Sequence, residues 1–260
     1  DNHSVGAMGY FVTNKLRGDF LTQGPEVPAF EEAVALHCEA PHAVAVSNAT
    51  AALHIACLAL GVGAAGRVWS SAVTFLASAN CALYCGAEVD FVDIDPVTWN
   101  LSPQHLERKL AEAEASGRLP KVVIPVHLGG ESCDMAAIHA LGQRYGFRII
   151  EDASHAIGGH YRGAPVGSCR YSDATVFSFH PVKLVTSGEG GMVLTRDAAL
   201  ARRLRLLRSH GMERDPQRAA VDLLCRARRA GVRQRAEHHD DDVRGAAVDD
   251  EREHRRVGGV

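Results

Sequence analysis

Apolar positions between residues 42 and 195 follow two alternating rhythms. Short runs rich in Val, Ile and Phe recur as HAVAV (42–46), RVWSS (67–71), EVDFVDI (88–94), KVVIPV (121–126), FRIIED (147–152), DATVFSF (173–179) and GGMVLT (190–195). Between them lie longer segments with helical apolar spacing, at 49–60, 75–84, 102–114, 134–145 and 197–209. Gly61 follows the first of these, where a helix commonly stops. Near-continuous apolar strands separated by helices indicate a sheet buried on both faces. The pattern therefore predicts an α/β domain, a mostly parallel sheet with helices on both faces.

That rhythm ends near residue 217. From Arg218 the chain reads RAAVDLLCRARRAGVRQRAEHHDDDVRGAAVDDEREHRRVGGV, without Phe, Tyr, Trp, Ile, Met, Lys, Ser, Thr, Asn or Pro. Such a segment cannot build a core, so beyond a turn or two of helix at 220–230 it is expected to be charged and disordered. Its residue types share GC-rich codons, and the expected origin is out-of-frame translation of a GC-rich gene. The chain thus divides into an atypical N-terminal segment (1–17), a core (18–217) and a tail (218–260).

Charge and composition narrow the function classes. With a net charge of −3 and no basic stripe interleaved with aromatics, nucleic acid is not expected as a partner. No apolar run approaches the roughly 20 residues that a membrane helix needs, and the N-terminus lacks a signal-peptide layout, so a cytoplasmic protein is expected. The seven cysteines are scattered without a CxxC spacing and read as free thiols, mostly in the core. His238, His239 and His254 with nearby acids read as a solvated cluster, and no metal is expected.

The chemistry concentrates at strand ends. In VFSFHPVKLVTSGEGG (176–191), Lys183 stands alone between two buried strands. A partly desolvated lysine there is suited to attack a carbonyl. Asp152 ends the strand in RIIEDASHAIGG, at the edge of a parallel sheet where ligands bind. A carboxylate there is either an ordinary cap or a partner for a protonated ring nitrogen. SNATAALH (47–54) runs from a strand into a helix start, a place suited to a phosphate, and Ser178 adds a hydroxyl. Phe75 is either core or a stacking ring, and His155 either a ring contact or a satisfied structural residue.

The blocks FLTQGPEVPAFEEAVA, AVSNATAALHIACLALGVG, TFLASANCALYCGAEVDFVDIDPVTWNLSP, VIPVHLGG, IIEDASHAIGGHYRGAPVGS and FSFHPVKLVTSGEGGMVLT, in that order, resemble the DegT/DnrJ/EryC1/StrS family of nucleotide-sugar aminotransferases. The resemblance implies a fold-type I large domain and pyridoxal 5'-phosphate as cofactor. It makes Lys183 the lysine that holds the cofactor and shuttles protons, Asp152 the partner of the pyridine nitrogen, and Phe75 the ring stacked on it. Ala49 and Thr50 take the place of a phosphate-holding Gly-Thr pair, assisted by Ser178, and His155 stands beside the ring hydroxyl. Glutamate and a nucleotide-linked 4-keto-6-deoxy sugar are the implied substrates, and a homodimer the implied assembly. HPVK and LYCGA are most similar to the branch that aminates C4 of a UDP-linked 4-keto-6-deoxy-N-acetyl-altrosamine for pseudaminic acid. Two other readings stay open: a sugar dehydratase of the same fold, disfavoured because such relatives carry histidine in place of Lys183, and a non-catalytic relative. The family's small C-terminal domain, and the segment that reaches a partner's cofactor phosphate, have no counterpart in 218–260. The chain as written is therefore expected to be inactive or insoluble.

Overall fold

The computed structural model describes residues 24–212. The chain divides into two compact units, Asp1–Arg205 and Leu206–Val260, and the fold below concerns the first. The atypical segment 1–17 and the tail 218–260 lie outside the described residues. The elements are α1 (Glu26–His37), β1 (His42–Val46), α2 (Ala49–Ala59), β2 (Arg67–Ser71), α3 (Ala77–Tyr84), β3 (Glu88–Val92), α4 (Pro103–Ala115), β4 (Val122–Ile124), α5 (Met135–Tyr145), β5 (Arg148–Asp152), β6 (His160–Tyr161), β7 (Ala164–Pro165), β8 (Ala174–Ser178), β9 (Gly191–Thr195) and α6 (Ala198–Arg208).

Seven strands form one sheet in the order β1-β9-β8-β5-β4-β2-β3. Strands β8, β5, β4, β2 and β3 run parallel, and β9 is antiparallel to both β8 and β1. Six strands therefore point one way and β9 alone returns. The carboxyl ends of the six and the amino end of β9 meet at a single sheet edge. In open α/β sheets that edge is where ligands bind.

The strand period sorts residues between two layers. Trp69, Val92, Val123 and Ile149 pack with Leu106 and Leu110 of α4 and Ile138 and Leu141 of α5. Further along the sheet, Phe177, Met192 and Leu194 pack with Val34 of α1. Helices α2 and α3 pack against each other, α2 on β8 and β9 and α3 on β2 and β3. The α/β architecture with helices on both faces matches the expectation from the sequence.

Local chemistry explains where elements start and stop. Asn48 caps α2 by accepting the Ala51 N–H at 2.8 Å, and Gly61 closes that helix at φ +78°, a conformation open to glycine. Strand β3 ends at Val92, short of the expected Ile94, because Asp93 and Asp95 carboxylates accept the N–H groups of Ile94, Val97 and Thr98 and turn the chain. Strand β4 ends at Ile124 because Pro125 has no N–H for the ladder. The helix expected from residue 75 begins at Ala77, which leaves Phe75 and Leu76 exposed before its first turn. Helix α1 and the two-residue strands β6 and β7 carry patterns too weak or too short to read as apolar periodicity.

Candidate active site

At the common edge lies a cavity of about 480 Å³. Asn48, Ala49 and Thr50 come to it from the end of β1, Phe75 from the loop after β2, and Val126 and Leu128 from beyond β4. Asp152, Ser154 and His155 come from the end of β5, and Ser178, His180, Lys183 and Glu189 from β8 and the loop after it. Every residue singled out above as a candidate (Ala49, Thr50, Phe75, Asp152, His155, Ser178 and Lys183) therefore lines one cavity, although they lie scattered between positions 49 and 183 of the sequence.

Asp152 is buried and held from two sides. Its Oδ2 accepts the Ser78 hydroxyl at 2.6 Å, and its Oδ1 accepts the hydroxyl and N–H of Ser154 at 2.6 and 3.2 Å. Thr74 Oγ1 lies 2.8 Å from Ser78 Oγ and extends the chain of hydroxyls. Strand alternation sends Asp152 to the α2–α3 side, where Ser78 sits in the first turn of α3, and Glu151 to the opposite face.

Helix α2 starts at the cavity, and its geometry gives the Ala49 and Thr50 N–H groups no intrahelical acceptor. Asn48 already satisfies Ala51 with its side chain and Ala52 with its carbonyl. Two amides at the positive end of the helix are thus directed to a space suited to an anion. Gly191 makes the approach possible: a Cβ there would lie 2.4 Å from the Asn48 carbonyl carbon and 2.7 Å from Ala49 N. Ser178, paired across the ladder with Gly191, is buried at the same place and accepts the His180 N–H at 3.4 Å.

Lys183 is half-buried in a tight turn, its N–H donating to the His180 carbonyl at 3.0 Å. It is close enough to His155 to act on its charge. Burial lowers the His155 pKa first, the Lys183 ammonium lowers it further, and Asp152 opposes both; the net shift is downward. The Gly129 N–H is directed at His155 Nδ1 at 3.4 Å, which favours the neutral ring with its proton on Nε2. Phe75 is 72% exposed, an aromatic face open to the cavity and not a core residue.

The donor set fits pyridoxal phosphate. An anion site at a helix start, an acceptor-only carboxylate, an amine and an exposed aromatic ring are the groups that its phosphate, pyridinium nitrogen, aldehyde and ring face require. Ser78, Ser154, Gly191 and the wall residues Val126 and Leu128 were not legible as site residues. Ser78 meets Asp152 across 74 positions, a meeting that only the fold produces.

Comparison with known proteins gives the family. A model of the DegT/DnrJ/EryC1/StrS aminotransferase family matches residues 9–235, and the chain belongs to that family, whose members depend on pyridoxal phosphate. It is 42% identical over 203 residues to the spore coat polysaccharide biosynthesis protein SpsC of Bacillus subtilis (strain 168), covering 78% of this chain and 50% of that protein. To the GDP-perosamine synthase of Caulobacter vibrioides it is 43% identical over 195 residues, covering 75% and 50%. Among solved structures, Helicobacter pylori PseC, an aminotransferase of pseudaminic acid biosynthesis, superposes with a TM-score of 0.72 at 30% identity, covering 83% of this chain and 56% of that one. The chain spans about half the length of the curated relatives it matches. Among the described residues no helix is long and apolar enough to cross a membrane.

Proposed function

We propose that this chain carries the cofactor site of a pyridoxal-phosphate enzyme that moves an amino group from glutamate to a nucleotide-linked 4-keto-6-deoxy sugar. The observation that carries the reading is the convergence of Lys183, Asp152 and the α2 start on one cavity. When bound, pyridoxal phosphate supplies an electron-withdrawing ring that stabilises negative charge on a substrate carbon. The Ala49 and Thr50 amides, with Ser178, would hold the phosphate, while Asp152, fixed by Ser78 and Ser154, would accept a proton-bearing ring nitrogen. Lys183 would hold the cofactor and move a proton to or from the substrate carbon. Phe75 would cover the ring face, and neutral His155 would donate to its hydroxyl.

The narrower substrate is a UDP-linked 4-keto-6-deoxy-N-acetyl-altrosamine, supported by HPVK (180–183), LYCGA (83–87) and the likeness to PseC. A second copy completing the assembly is favoured by the exposed apolar side chains Leu76, Leu83, Tyr84, Val182 and Leu184. The test loads the full chain with cofactor, adds glutamate and the UDP-linked keto-sugar, and follows 2-oxoglutarate and aminated sugar by mass spectrometry. Both products should form, against the expectation of an inactive chain drawn from the tail, and neither should form with Lys183→Ala. A loaded chain that releases 2-oxoglutarate but aminates no 4-keto sugar contradicts the substrate class.

A further inference from the structure

His180 lines the cavity where β8 gives way to the loop that carries Lys183. Its N–H donates to Ser178 Oγ at 3.4 Å, its carbonyl accepts the Lys183 N–H at 3.0 Å, and its ring Nδ1 accepts the Val182 N–H at 3.3 Å. Residues 180–183 thus form a turn with Pro181 at the second position, where the fixed proline φ suits the bend. The ring braces the same turn: an acceptor on the first residue takes the N–H two positions on, as an Asn or Asp side chain does in an Asx-turn. With Nδ1 accepting, the ring proton lies on Nε2, which faces Glu189 Oε1 at 3.8 Å, and that carboxylate favours the same tautomer. The far side of the loop is tied separately, the Thr186 hydroxyl and the Ser187 N–H both donating to the Phe179 carbonyl at 3.0 Å.

We propose that His180 is a positioning residue for Lys183, its Nδ1 fixing the turn from which the lysine amine reaches the cofactor aldehyde; the inference rests on the cofactor reading of this cavity. A lysine stem is four flexible carbons long, so the fold governs the amine mainly through the backbone at 183. A turn braced by both Pro181 and the imidazole leaves that backbone little freedom to lose when the amine attacks. The same residue touches the phosphate side of the site only through its backbone. Ser178 oxygen accepts the His180 N–H, which leaves the Ser178 O–H to donate to a phosphate. Replacing the ring keeps that contact, so placement of the lysine and holding of the phosphate should separate.

The test gives the full chain two ligands: pyridoxal phosphate, which bonds to Lys183, and deoxypyridoxine phosphate, which keeps the ring and phosphate but carries a methyl group in place of the aldehyde. At saturating pyridoxal phosphate, His180→Ala should slow the growth of the band at about 420 nm by about fivefold, the effect of losing one hydrogen bond. Its affinity for deoxypyridoxine phosphate, read by isothermal titration, should stay within about twofold. His180→Asn, whose Oδ1 can stand where Nδ1 does, should restore the rate, and His180→Gln, which replaces Nε2 instead, should not. The ring is 47% exposed, so these changes leave the core intact, and circular dichroism checks that each variant folds. An unchanged rate in His180→Ala, an equal loss for both ligands, or rescue by Gln and not by Asn would overturn the proposal. An unsubstituted chain that binds neither ligand would overturn the cofactor site itself.

Discussion

Glu151 and Asp152 are adjacent in β5, both buried, and serve opposite ends. Glu151 faces the α4–α5 side, where His127 Nε2 lies 2.8 Å from its Oε2, and Thr175 Oγ1 (3.0 Å) and Ser172 Oγ donate to its Oε1. The Cys133 N–H is directed at His127 Nδ1 at 3.2 Å, so the ring donates its Nε2 proton to Glu151 and its other nitrogen is already engaged. Burial alone would raise the Glu151 pKa; His127 and the two hydroxyls outweigh it and the carboxyl lies below its ordinary range. Asp152 is held by hydroxyls too, but it opens on a cavity. One acid is spent on the fold and the other kept for a ligand.

The sharpest break of this comparison is in stability. Glu151→Ala leaves the His127 Nε2 proton and the Thr175 hydroxyl buried without their acceptor and should cost about 3 kcal/mol, read by urea denaturation. Asp152→Ala leaves Ser78 with its Thr74 contact and Ser154 only half-buried, and should cost about 1 kcal/mol while abolishing cofactor binding. Equal losses from the two would dissolve the distinction.

Next in size is Gly191→Ala, whose Cβ meets Asn48 backbone at 2.4 Å. Overpacking of this kind should cost about 1–3 kcal/mol and weaken phosphate binding more than a matched change elsewhere in β9. Isothermal titration with pyridoxal phosphate separates the two effects. Ser78→Ala should weaken cofactor affinity about tenfold through a freed Asp152, with little change in unfolding free energy.

The smallest effect is a pH dependence. The folded His155 pKa lies below the unfolded value, so the unfolded state takes up the proton first and stability falls as pH drops below about 6.5. His155→Gln should flatten that slope in denaturation midpoints measured from about pH 7 to 5. An unchanged slope would show that the ring titrates as it does in the unfolded chain.

Much of this was legible in the chain itself, and the reasons are physical. The strands HAVAV and RVWSS have the observed bounds because each is a short Val-containing run that starts directly after a Pro or Gly. Lys183 and Asp152 stood out because a charged residue at the end of an apolar run has few other uses. The seven site residues converge because all six codirectional strands end at one edge, a consequence of βα repetition. What stayed hidden depends on tertiary meetings: Ser78 on Asp152 and Gly191 against Asn48. Element ends also moved where side chains competed for backbone, as Asp93 and Asp95 do after β3.

The central claim is that Lys183 and Asp152 form a working cofactor site in this chain. Its most direct test is the absorbance of the purified chain with added pyridoxal phosphate, before and after borohydride, with Lys183→Ala alongside. A band at about 420 nm, trapped by borohydride on the Lys183 peptide and absent from the variant, is the predicted result. No band, or one that persists unchanged in Lys183→Ala, would contradict it.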